Sequence, residues 1–161
     1  MPSRRCWLLA STALLAGCGF ELRRAPALPF RRLALVGFSP ATGTADALRR
    51  ALPDGVALVA HPRDAEVVLE ALADERRRSV SATTAAGQVR ELRLHSRLIY
   101  RLSTRGGKPL LPPAEIALGR DLSYSETAAL GKAQEEQSLW RAMEADIALQ
   151  VLRRVAASPA P

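Results

Sequence analysis

Between Gln88 and Ser103 the chain alternates with a two-residue period. Leu92, Leu94, Leu98, Tyr100 and Leu102 fall on one parity, and Arg93, His95, Arg97 and Arg101 on the other, interrupted only by Ile99. Successive side chains of a strand point to opposite faces, so this run predicts a long strand with one apolar and one basic face. The apolar face has to be covered, which calls for further strands and a helical layer.

The flanking segments supply both. Arg105-Gly106-Gly107-Lys108-Pro109 offers glycines that take positive φ, so the chain folds back as a hairpin. Pro112 and Pro113 delay the return strand, predicted over Ala114 to Tyr124 with Ile116, Leu118, Leu122 and Tyr124 on one face. Arg120 falls on that apolar parity and requires a bulge, an edge position or a wet pocket. Upstream, Ala65 to Val80 reads as a strand, with Ala65, Val67, Leu69, Ala71 and Ala73 opposed to Glu66, Glu70 and Asp74. Its alanine, leucine, glutamate and arginine content makes helix the competitor. Arg76-Arg77-Arg78 extends this strand as a basic end, and Thr83 to Gly87 links it to the next.

Leu33 to Phe38 is a short apolar run of the kind buried on both faces of a sheet. Thr42 to Leu52 predicts a helix capped by Thr44, with Asp46 at its positive end, and Pro53-Asp54-Gly55 stops it. Val56 to Val59 either pairs at an edge or merely packs, before His61-Pro62-Arg63-Asp64 turns the chain. Ser125 to Leu130 is a connector, and Lys132 to Val155 predicts a long helix with Leu139, Trp140, Met143, Ile147 and Val151 as its apolar stripe. Glu135 and Glu136 at its start and Arg153 and Arg154 at its end suit the macrodipole, while Leu149 and Leu152 lie off the stripe. The expected architecture is a two-layer α+β sandwich: a mixed four-stranded sheet, its first crossover parallel, covered on one face by two helices and open on the other.

The amino end carries a different signal. Arg4 and Arg5 precede an apolar run from Trp7 to Ala16, shorter than the roughly 20 residues of a membrane span, and small residues follow it. That is the order of a secretory signal peptide. Leu15-Ala16-Gly17-Cys18 resembles the bacterial lipobox, in which the cysteine thiol receives diacylglycerol, the chain is cut before it, and the new amine is acylated. Several acyl chains hold a protein on a membrane where one does so only marginally. Expected boundaries are a signal peptide over 1–17, a lipid anchor and linker over 18–32, a folded domain over 33–156 and a disordered tail over 157–161. The four linker arginines, Arg23, Arg24, Arg31 and Arg32, either lie on anionic headgroups or stay solvated.

Composition narrows the function. Cys6 and Cys18 are the two cysteines, so signal removal and lipidation leave no thiol for a disulfide or a metal. Of 23 Lys+Arg, Arg4 and Arg5 leave with the signal, and 21 against 16 Asp+Glu is a formal excess of +5, which suits an anionic partner. His61 and His95 have no Cys or carboxylate spacing that completes a metal site, and no Gly-x-Ser-x-Gly elbow or phosphate-cradling loop is present. Catalysis is not expected.

The chain resembles the lipopolysaccharide-assembly lipoprotein family LptE. The resemblance is carried by Cys18-Gly19-Phe20-Glu21-Leu22-Arg23, the apolar strand at Leu33, the Gln88–Ser103 strand with its Leu-Ile-Tyr-Arg-Leu end, and Arg120-Asp121-Leu122-Ser123-Tyr124 before the final helix. Membership implies an outer-membrane lipoprotein, facing the periplasm and the barrel lumen, that sits within the LptD β-barrel as its heterodimeric partner, aids its assembly and contacts lipopolysaccharide. It implies no enzyme activity, cofactor, metal or nucleic-acid partner beyond the acyl and diacylglycerol lipid on Cys18. Guanidinium forks match phosphate geometry, so Arg93, Arg97 and Arg101 are the expected phosphate ligands, extended by Arg105 and Lys108 and joined by Arg120. The simpler alternative is that an outward strand face carries charge to stay soluble and unpaired. As whole-protein alternatives, a freestanding periplasmic lipid-binding lipoprotein and a pilotin-like barrel escort also fit.

Overall fold

The computed structural model describes residues 27–125 and 128–161. The signal segment, Cys18 and the linker as far as residue 26 lie outside the described residues, as do Glu126 and Thr127 of the connector. In chain order the elements are β1 (Arg32–Val36), α1 (Thr44–Ala51), β2 (Ala57–Leu58), a 3-10 turn (Pro62–Asp64), β3 (Val67–Thr83), β4 (Val89–Thr104), β5 (Pro109–Ser123) and α2 (Ala129–Ala156). One sheet has the order β2-β1-β3-β4-β5. Both β2 and β3 run parallel to β1, and β3, β4 and β5 form an antiparallel meander.

The sheet therefore has five strands, not the four expected. The fifth is the two-residue β2, whose flanks reach β1 through Ala57 N–H to the Arg31 carbonyl at 2.7 Å and Val59 N–H to the Leu33 carbonyl at 2.9 Å. A strand this short has no readable period, so only the pairing reveals it. β5 begins at Pro109 rather than Ala114, with Pro112 and Pro113 inside it. Their missing donors are harmless there, because β5 is an edge strand with one unpaired side.

The strand expected over Ala65 to Val80 forms over Val67–Thr83, but its parity changes. A bulge at Leu72, between the pairs Ala71↔Tyr100 and Ala73↔Ile99, turns the side chains from Ala73 to Val80 to the other face. Ala73 joins the open face, and Asp74 and Arg76 turn under the helices, reversing the sequence expectation. Asp74 there accepts hydrogen bonds from Thr42 Oγ1 at 2.5 Å, Thr44 Oγ1 at 2.9 Å and Ser39 N–H at 3.2 Å. Thr44 is thus the first residue of α1 rather than its cap, which is Gly43.

Both helices lie on one side of the sheet. Leu33, Leu48, Leu69, Leu98, Tyr100, Leu102 and Ile147 are almost fully buried between the layers. Leu152, off the predicted stripe, is fully buried because α2 packs against α1 as well as the sheet. The cover for that second side belongs to the same chain. Residues beyond α2 are described too: Ser158 is buried, its hydroxyl donating to the Val155 carbonyl at 2.6 Å.

Candidate functional site

The open face of the sheet is built by odd-numbered β4 residues, their partners on β5, and the β3 residues that the Leu72 bulge brings round. Arg93, His95, Arg97 and Arg101 all stand on it, as the alternation predicts. The face is not a basic one. Arg93 grips Asp121 in a two-pronged contact, Nε to Oδ1 at 2.5 Å and Nη2 to Oδ2 at 2.8 Å. Arg97 donates to Glu115 at 2.8 Å and lies 3.8 Å from Glu75, and Arg101 pairs with Glu70 at 2.7 Å. With Arg77 and Glu91 counted, four guanidinium groups face five carboxylates. The expectation of a strongly basic face is corrected by the cross-strand register, which sets Arg93 opposite Asp121 and Arg97 beside Glu115 and Glu75. Opposite charges directly across a ladder stabilise it.

The remaining expected ligands separate. Arg120 pairs across from Leu94, which faces the helices, so it lies on the covered side and reaches Asp146 of α2 at 3.5 Å. It is an exposed residue of the edge strand, and it does not join Arg93, Arg97 and Arg101. Arg105 and Lys108 are exposed in the β4–β5 turn, at the end of the sheet rather than on its face. The structure adds Arg77, opposite His95 in the register. Its neighbours Arg76 and Arg78 point under the helices, to Glu144 and Glu136. Arg77 makes no ion pair among the described residues. It lines a groove of about 530 Å³ with Glu75, Ser79, His95, Arg97 and Ala117. Sequence reading missed it because the bulge exchanges the parity of the three consecutive arginines.

The ladder sets its own pH behaviour. The Arg93 hydrogen bonds hold the Asp121 carboxyl below its ordinary range, and Arg97 does the same to Glu115; both guanidinium groups are pushed up in return. A carboxylate depressed by folding contributes stability that is fully present above its unfolded pKa, about 3.9 for Asp and 4.3 for Glu. That stability is lost as pH falls through the lower folded value. We therefore expect the urea midpoint of the wild-type chain to exceed that of Asp121→Asn/Glu115→Gln by a constant margin from neutral pH to about pH 5. The margin should close in stronger acid, and one that instead grew there would contradict the pairing.

A helix-backed sheet that offers one broad polar face, rather than an enclosed cleft, defines a binding or assembly module. No helix among the described residues is long and apolar enough to cross a membrane. The sequence profile of the lipopolysaccharide-assembly family LptE matches residues 30–155, from the residue that opens the core to the end of α2. The chain belongs to that family, whose members are lipoproteins of the cell envelope and not enzymes. Lipoprotein B of Nitrosomonas europaea, solved by NMR, is similar at 28% identity and a TM-score of 0.70, over 86% of this chain and 91% of that one. A minor lipoprotein of Acinetobacter baumannii shares the fold at 23% identity and a TM-score of 0.65, over 84% of this chain and 100% of the other. Rare lipoprotein B of Shewanella oneidensis does so at 24% and 0.62, over 79% and 95%. No curated protein sequence matches significantly.

Proposed function

We propose that the chain is the outer-membrane lipoprotein that assembles with and plugs the LptD β-barrel and binds lipopolysaccharide during its insertion into the outer leaflet. Lipid on Cys18 holds it to the periplasmic side. The observation that carries this reading is the family match itself, whose span of residues 30–155 takes in β1, the meander and nearly all of α2. The lipobox-like Leu15-Ala16-Gly17-Cys18 supports the anchor.

In this reading the open face meets the phosphates of lipopolysaccharide. Arg77, which holds no carboxylate, makes the first contact, and Arg93, Arg97 and Arg101 exchange exposed carboxylate partners for phosphate oxygens. Exposed pairs of this kind are screened by solvent and contribute little, so a multiply charged glycolipid outcompetes them.

Affinity purification from detergent-solubilised membranes tests the partner: we expect a stoichiometric large barrel protein, and its absence would leave a freestanding lipoprotein. Intact-mass measurement of the purified protein tests the anchor, and an unmodified Cys18 thiol refutes it. For the ligand, Arg97→Glu with Arg101→Glu should weaken lipopolysaccharide binding by about tenfold or more, on the scale of charge-assisted hydrogen bonds. Far-ultraviolet circular dichroism should stay unchanged. Wild-type affinity in that folded variant would remove the open face from the site.

A further inference from the structure

The end of the sheet at which the tether enters has a composition of its own. β1 starts at Arg32, fourteen residues (32 − 18) beyond Cys18. The register aligns Leu33 with Val67 and Val67 with Thr104, so the starts of β1 and β3 and the β4–β5 turn all lie at this end. The backbone ladder continues one residue past the strands. Glu66 N–H donates to the Arg32 carbonyl at 3.0 Å and Arg105 N–H to the Glu66 carbonyl at 3.1 Å, which sets Arg32, Glu66 and Arg105 abreast.

Five cations stand here: Arg31, Arg32, Arg63, Arg105 and Lys108, all exposed. Three side-chain carboxylates share this end, beside the terminal one of Pro161. Glu66 is engaged by Arg32 at 3.2 Å and Asp64 lies 4.0 Å from Arg63, while Asp54 sits at the α1–β2 turn. The side chains of Arg31, Arg105 and Lys108 make no ion pair among the described residues. Arg32, Glu66, Arg105, the bare backbone of Gly106 and the last residue, Pro161, border an open groove of about 350 Å³. The exposed large apolar residues, Leu72, Val80 and Leu130, all lie on other parts of the chain.

We propose that this end of the domain docks on an anionic phospholipid leaflet, the groove between Arg32 and Arg105 taking a lipid phosphodiester. Charge selects the occupant. Uncompensated cations gather at the one end that a lipid-bearing tether brings to a membrane, whereas the open face is neutralised by its own carboxylates. With no exposed large apolar side chain at this end among the described residues, the contact is electrostatic and reversible by salt. A tether makes the docking intramolecular, so weak affinity suffices. The inference rests on the anchored-lipoprotein reading for its setting, and its test needs neither the lipid nor the barrel.

Chain 18–161 carrying Cys18→Ala, co-sedimented with vesicles, isolates the folded surface. Binding is expected to vesicles of phosphatidylcholine mixed with phosphatidylglycerol and not to phosphatidylcholine alone. It should disappear as salt shortens the Debye length from about 30 Å to about 8 Å. Adding Arg105→Glu and Lys108→Glu should weaken it by about tenfold or more. Arg93→Glu with Arg97→Glu, the same change of charge on the open face, should leave it within about twofold of wild type, since these groups sit behind their own carboxylates. The reverse assignment is expected for lipopolysaccharide, so the two readings fail separately. Equal binding to both vesicle types, or equal losses from the two double variants in folded protein, would overturn the proposal.

Discussion

Glu144→Ala should destabilise the domain by about 3–5 kcal/mol, the usual cost of stripping one partner from a buried ion pair. Glu144 is 2% exposed beneath α1, although nothing in the sequence of α2 distinguishes it from the solvated Glu135. Its Oε1 pairs with the Arg76 guanidinium and accepts the Gly43 N–H at 3.0 Å. Arg76 is also stacked on Trp140, 5.3 Å from the ring centroid. Burial pushes the Arg76 guanidinium below its ordinary range, with Asp74 offsetting part of that, yet it stays charged at any physiological pH. Truncating Glu144 leaves this cation half-covered without its counter-charge and orphans the Gly43 donor.

The measurement is urea unfolding followed by Trp140 fluorescence, with midpoint and slope both recorded. Glu144→Leu with Arg76→Met should recover most of the loss, because apolar replacement of both members of a buried pair is often neutral or stabilising. A single variant that costs under about 1 kcal/mol would show that the carboxylate is not held as described.

Gly37→Ala is the second large effect, about 2–4 kcal/mol from two causes that add. Gly37 has φ +76°, a region that costs a residue with a Cβ about 1–2 kcal/mol. A Cβ there would also lie 2.4 Å from the Ala71 carbonyl oxygen, and that neighbour is backbone, unable to step aside as a side chain would. The glycine lets β1 leave the sheet just as β3 enters its bulge at Leu72. Gly55→Ala is the control: φ is +90° but no atom lies within 4 Å of its Cβ position, so only the conformational part should appear. Equal costs at the two sites would mean that the close approach to Ala71 contributes nothing.

Period and punctuation alone revealed much of the fold. The alternation of Gln88 to Ser103, the glycine turn at Gly106-Gly107, the strand character of Ala65 to Val80 and the long final helix are all local signals, and each element formed within a few residues of its expected bounds. The placement of both helices on one face followed from which parity was apolar. Family membership was legible too, since it rests on residues spread along the chain.

The charge state of the open face was not legible. Arg93 and Asp121 are 28 residues apart, Arg97 and Glu115 are 18 apart, and Arg101 and Glu70 are 31 apart. No window of sequence shows that they meet; the register of three strands decides it, and that register depends on bulges which insert residues without leaving a periodic trace. The bulge at Leu72 sends Arg77 to the open face and Asp74 and Arg76 beneath the helices, and the packing of α2 on α1 buries Glu144. Which residues form strand and helix is written in local spacing, because backbone geometry repeats every two or 3.6 residues. Which charges are free to meet a ligand is set by the alignment of distant segments, and that exists only once the sheet has closed.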